Sequence, residues 1–110
     1  MHDMALAASR IAEATAGVTF AAYEKTWLLQ SAVERQLGVI GEALARVRQV
    51  ERGFYDRFAD ADKIVGLRNI IVHGYDVVDP RVLWSIIAEK LPALMKLVDD
   101  MLREAREERL

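Results

Sequence analysis

Residues 27–50 read WLLQSAVERQLGVIGEALARVRQV. Within this stretch Val33, Leu37, Ile40, Leu44 and Val47 recur in alternating steps of four and three. That spacing lays one apolar seam along a packed helix and does not fit the period of a strand. A second seam, Glu34, Gly38, Gly41, Ala45 and Arg48, runs beside the first and is small in its middle. A glycine inside a helix costs about 1 kcal/mol relative to alanine, so two of them imply a compensating packing gain. The close contact they allow is either with another helix of the same chain or with a second copy of it.

Working outward, the same helical grammar holds on both sides. A first helix is predicted from about Asp3, a plausible N-cap, to Ala16, with Gly17 as its stop. Thr19 can cap a short helical turn that starts at Phe20. Beyond the long helix, Glu51 to Phe58 reads as irregular or briefly helical. Another helix begins near Asp60, which can cap it, and runs through Arg68 to about His73, where Gly74 can end it. Asp79 followed by Pro80 is a helix start, a capping side chain with proline at the first helical position. The last segment runs to about Glu107, and Pro92 inside it should kink or split it. Only two prolines occur in the chain and alternating strand patterns are missing. The expectation is an all-α fold, an antiparallel bundle of four to five helices forming a single domain over residues 1–110.

Composition narrows the functional classes. The chain holds no cysteine, which excludes disulfides and thiolate metal sites and suits a reducing cytoplasm. No basic N-terminal region followed by an apolar stretch is present, so no secretory signal is expected, and no apolar run approaches the length that spans a bilayer. The net charge of −2 argues against a general DNA-coating protein. It leaves room for an enzyme that cuts RNA in a locally basic groove. Eleven of the fifteen basic residues are arginine, the side chain that grips phosphate through a planar fork.

Only two histidines are available as acid–base groups of near-neutral pKa, His2 and His73. His2 lies next to the initiator Met. His73 lies in Arg68-Asn69-Ile70-Ile71-Val72-His73-Gly74-Tyr75, where a guanidinium, an amide, an imidazole and a phenol interrupt a helix that otherwise reads as core, from Ile64 through Val72. Asn69 and His73 are four apart and share a face. Arg68 and His73 are five apart, about 140° around an ideal helix. A site that uses both needs Arg68 to fold back, a distorted helix end, or a second copy of the helix. On spacing alone another reading stands beside this one: His73 caps the helix C-terminus and Arg68 pairs with a nearby acid such as Asp62 or Asp76.

The run Arg-x4-His-x-Tyr resembles the signature of the HEPN superfamily, specifically the HepT-like toxins. Glu34 to Ala43 resembles the central helix of that family, Gly17-Val18-Thr19-Phe20 its first loop, and Val82-Leu83-Trp84 with Leu91-Pro92 its last helices. The resemblance covers residues 4 to 102. One departure lies in the Glu51 to Asp60 connection, where a proline-bearing loop is expected. The resemblance implies a HEPN-like homodimer and a metal-independent endoribonuclease without cofactors, with Arg68, Asn69 and His73 catalytic and two copies of the motif lining one cleft. It also implies a toxin of a type VII-like toxin–antitoxin system. Its partner would be a minimal nucleotidyltransferase antitoxin that silences it by adenylylation of Tyr75. The residue types suit this chemistry, because RNA carries its own nucleophile in the 2′-hydroxyl and needs no metal-bound water. The alternative is a non-catalytic helical module that associates with a nucleotidyltransferase and carries an idle motif.

Remaining features have plainer readings. Arg46, Arg48, Arg52 and Arg57 could line an RNA path, though a solvated face salted with Glu42, Glu51 and Asp56 fits them better. Trp27 and Trp84 are expected in core or interface packing rather than base stacking. Asp99 with Asp100, and Glu107 with Glu108, are adjacent on a helix and point apart, so no metal site is expected.

Overall fold

The helix anticipated at residues 27–50 is the spine of the molecule: α3 spans Trp27–Val50, and its apolar seam is buried throughout. The computed structural model describes residues 2–73 and 79–108, with the backbone alone at Val72 and His73. Among these residues every element is helical: α1 (His2–Thr15), α2 (Phe20–Lys25), α3, α4 (Arg52–Arg57), α5 (Ala61–His73), α6 (Pro80–Ser85), a π turn (Ile86–Lys90) and α7 (Leu91–Glu108). The all-α bundle expected from periodicity is therefore present, with four long helical units and two short connecting ones.

Short connections force the long helices to fold back on one another. α1 and α5 both pack along α3. Ile11 and Ala14, near the end of α1, lie beside Ala32 and Val33 in the first half of α3. For α5, Tyr55 bridges Arg48, near the end of α3, to Asp62 at the start of α5, and Arg68 further along α5 meets Gly41 further back on α3. Both neighbours therefore run antiparallel to the spine. α7 closes the bundle against α1, with His2 close to Asp99, Leu102 and Arg106. The core between these units is built of hydrophobic residues, from Met4 and Ile11 through Leu37, Ile40 and Leu44 to Ile64, Leu91, Leu94 and Val98.

Local signals set most element ends. Gly17 takes φ +72, the left-handed conformation that ends α1. The Thr19 hydroxyl accepts from the Ala22 amide at 3.2 Å and starts α2. The Asp79 carboxylate accepts from the Arg81 amide at 2.9 Å, with Pro80 in the first turn of α6. Arg81 also donates to that carboxylate from its side chain. This hydrogen bond is the larger reason that the Asp79 carboxyl is held below its usual pKa. Asp60 precedes α5, but its carboxylate pairs with Lys63 and Lys90 at 3.8 and 3.5 Å, and no backbone amide among the described residues donates to it.

Pro92 neither breaks the last segment nor leaves it regular. The helix widens into the π turn immediately before it, and the Leu91 amide bonds to the Ile86 carbonyl five residues back. A proline cannot donate to the carbonyl four residues earlier and its ring crowds that carbonyl. One wider turn relieves the crowding without breaking the helix.

One expectation of burial is corrected: Ile70 reads as core on α5 but is 48% exposed. Trp27, expected in core or interface packing, is 73% exposed at the start of α3 and so takes no part in the core of the chain. Trp84 does pack as expected, its ring centre 5.1 Å from that of Tyr23 and 6.1 Å from that of Phe20. Tyr23 is fully buried, its hydroxyl has no hydrogen-bond partner among the described residues, and burial pushes its pKa up to about 12.

Candidate active site

The site grows out of the crossing of α3 and α5. Gly41 is buried there, and a Cβ built on it would lie 2.5 Å from Arg68 Cβ and 3.1 Å from the Ile64 carbonyl oxygen. The missing side chain is what lets the two helices approach. Of the alternatives open for the small-residue seam, contact within the chain accounts for Gly41. Gly38, one turn earlier, has no atom within 4 Å of where its Cβ would be. The described residues supply no packing reason for that glycine.

This close approach fixes where the Arg68 side chain begins. The guanidinium then spreads over the α3 surface and is held at both ends. Nη1 donates to Asn69 Oδ1 at 2.9 Å, and Nη2 lies 3.5 Å from Glu42 Oε1. Nε is buried and has no partner among the described residues. The Arg68 side chain keeps 27% of its surface exposed and Glu42 keeps 54%, so the cation is reachable from solvent while being tied down.

The pairing of Arg68 with Asp62 anticipated by proximity is not formed. Asp62 instead accepts a short hydrogen bond from the Tyr55 hydroxyl. Burial, and then that bond, raise the Tyr55 pKa. Arg48 and Arg52 lie over the Tyr55 ring at 5.7 and 5.3 Å. Arg52 also pairs with Asp56 and Arg57 with Glu104. These arginines are thus engaged in fastening α4, in keeping with a solvated, salted face. Asp76, the other acid considered for Arg68, lies outside the described residues.

Of the sequence-predicted site residues, Arg68 and Asn69 stand together on α5 in direct contact. His73 is the last residue of that helix, one turn beyond Asn69. Its side chain, and the whole of Tyr75, lie outside the described residues. Glu42 is the member that sequence reading missed, having been placed on the salted outer face. The available signal was its position directly after Gly41 in the small-residue seam.

Beyond the motif, α5 and α6 enclose a groove of about 620 Å3 floored by Leu67, Ile70, Val82 and Ile86, with Lys63 and Arg81 among its walls. Among the described residues no helix is long and apolar enough to cross a membrane.

The chain is similar to known proteins over almost its whole length. The family model described as "Ribonuclease HepT-like" matches residues 4–101. The chain is 31% identical over 101 residues to the Methanocaldococcus jannaschii protein named "Putative RNase MJ1380", covering 90% of each. It is 29% identical over 96 residues to "Putative RNase TTE0752" of Caldanaerobacter subterraneus subsp. tengcongensis, covering 86% of this chain and 83% of that one. No solved structure gives a significant match. With a family model spanning nearly its whole length and a relative of this identity, the chain belongs to the HepT-like ribonuclease family.

Proposed function

We propose that this protein is a metal-independent endoribonuclease that cuts RNA by attack of the 2′-hydroxyl on the adjoining phosphate. The observation that carries the reading is a tethered but solvent-reachable Arg68 on a chain whose family is named for ribonuclease activity. In this reading His73 moves the proton at the 2′-oxygen or at the leaving 5′-oxygen, a task its near-neutral intrinsic pKa suits. Arg68 stabilises charge that builds on the phosphoryl oxygens. Asn69, whose carbonyl is taken by Arg68, donates from its amide nitrogen to a phosphate oxygen.

The working unit is a homodimer in which two copies of the motif line one cleft. Two features support this: the 140° that separates Arg68 from His73 on one helix, and the apolar surface left uncovered at Trp27, Leu28 and Ile70. The protein acts as the toxin of a type VII-like toxin–antitoxin pair in the cytoplasm. A minimal nucleotidyltransferase antitoxin silences it by transferring AMP to Tyr75, two residues past His73. A bulky anion there would fill the cleft and repel RNA.

The test is cleavage of a defined RNA by the purified protein in EDTA. Products ending in 2′,3′-cyclic phosphate, lost in both Arg68→Ala and His73→Ala, are the expected outcome. A requirement for Mg2+, or wild-type cleavage by His73→Ala, would show that the site is wrongly assigned. No cleavage by the wild-type protein would favour a helical module that only holds a nucleotidyltransferase.

A further inference from the structure

A guanidinium stabilises a phosphoryl transition state only in so far as it is already in place when charge develops. An arginine side chain has many rotamers, so an untethered Arg68 would be a poor instrument. The crossing of α3 and α5 supplies the tether. Gly41 brings the α3 backbone so near that a Cβ would sit 2.5 Å from Arg68 Cβ. The next residue, Glu42, thereby has its carboxylate 3.5 Å from Arg68 Nη2, while Asn69 occupies Nη1.

We infer that Glu42 is a positioning residue, whose carboxylate, set against α5 by Gly41, holds the Arg68 guanidinium in the orientation that meets the scissile phosphate. The inference rests on the ribonuclease reading. Two consequences separate it from a plain surface ion pair. An exposed pair contributes little to stability, so its loss should barely move the melting temperature. A carboxylate beside the cleft also repels RNA phosphates, so removing it should not weaken substrate binding.

The experiment uses the full chain and a short defined RNA. Glu42→Gln should lower kcat about tenfold with KM unchanged or lower, and Glu42→Asp should recover part of the loss. In an Arg68→Lys background, which cannot be held in the same fork, Glu42→Gln should cost nothing further. Glu104→Gln, which releases Arg57 from a comparably exposed pair, is the control and should leave kcat unaltered. Nitrogen relaxation at Arg68 Nε reads the tether without catalysis, and Glu42→Gln should lower its order parameter. Wild-type kcat in Glu42→Gln while Arg68→Ala is inactive overturns the inference and leaves the ribonuclease reading intact. So does an Arg68 side chain equally ordered with and without the carboxylate. Equal cleavage by Arg68→Ala and wild type overturns the ribonuclease reading, and the catalytic role of Glu42 with it.

Discussion

Gly38 and Gly41 stand one turn apart on α3, and their alanine variants should move stability in opposite directions. Either substitution gains roughly 0.5–1 kcal/mol, because glycine costs that much relative to alanine in a helix interior. At Gly38 nothing among the described residues lies within 4 Å of the new methyl, so the gain stands. At Gly41 the methyl meets Arg68 Cβ at 2.5 Å and the Ile64 carbonyl oxygen at 3.1 Å. Neither obstacle is the far end of a flexible side chain, so α5 must move away from α3. Forced overpacking of this kind costs about 1–3 kcal/mol. The gap between the variants is then about 2 kcal/mol, or about 8–16 °C in melting temperature for a domain of this size. Gly38→Ala should melt above wild type and Gly41→Ala below it. Circular dichroism melts at one fixed protein concentration measure this, since association shifts apparent stability. Two variants melting within about 2 °C of each other would refute the claim that Gly41 sets the helix spacing. The same displacement carries Arg68 away from Glu42, so Gly41→Ala should also lose RNA cleavage that Gly38→Ala retains.

His73→Ala should reduce cleavage by about 10²–10⁴, the usual worth of a positioned proton-transfer group, and Arg68→Ala by about 10²–10³, that of a donor to the developing charge; circular dichroism should show both folded. Tyr75→Phe should accept no AMP from a nucleotidyltransferase partner and ATP, and undiminished addition by intact mass would place the acceptor elsewhere. Sedimentation at micromolar concentration should show a dimer, and a monomer that still cleaves RNA would remove the shared cleft. Tyr23 gives a pH dependence: with its folded pKa near 12 against 10 unfolded, the folded state holds the proton longer. Stability is therefore full below pH 10 and falls by up to roughly 2–3 kcal/mol as pH rises toward 12. Tyr23→Phe removes a buried hydroxyl without a partner among the described residues, so it should be neutral or stabilising and should flatten that alkaline fall.

What was legible in the sequence was whatever acts over one or two turns. α3 has the limits its periodicity predicts, and the caps at Thr19 and Asp79 form as their side chains allow. Each of these signals joins a side chain to a backbone group two or three residues away. Burial on α5 was less legible, because a run of six apolar residues over a few positions hides which face is inside. All three of Ile64, Leu67 and Ile70 line the α5–α6 groove, but Ile64 and Leu67 are also buried in the core while Ile70 is half exposed. Pro92 announced a disturbance but not its form, since kinking, splitting and a π turn all answer the same missing amide.

The partner of Arg68 shows where sequence reading stops and what would extend it. Nearness along the chain offered Asp62, six residues away, or Asp76, yet Tyr55 claims the Asp62 carboxylate. Glu42 is 26 residues away and reaches Arg68 only because two helices cross at a glycine. The glycine was visible, and so was the need for something to compensate its cost. What periodicity could not supply was the register between α3 and α5, which is set by the length of α4 and its connections. Once that register is known, the residue following a helix-crossing glycine is the one delivered to the opposing side chain. The mechanistic weight of Glu42 thus derives from Gly41, and the two should fail together: loosening the crossing or removing the carboxylate should each leave Arg68 present, charged and out of place.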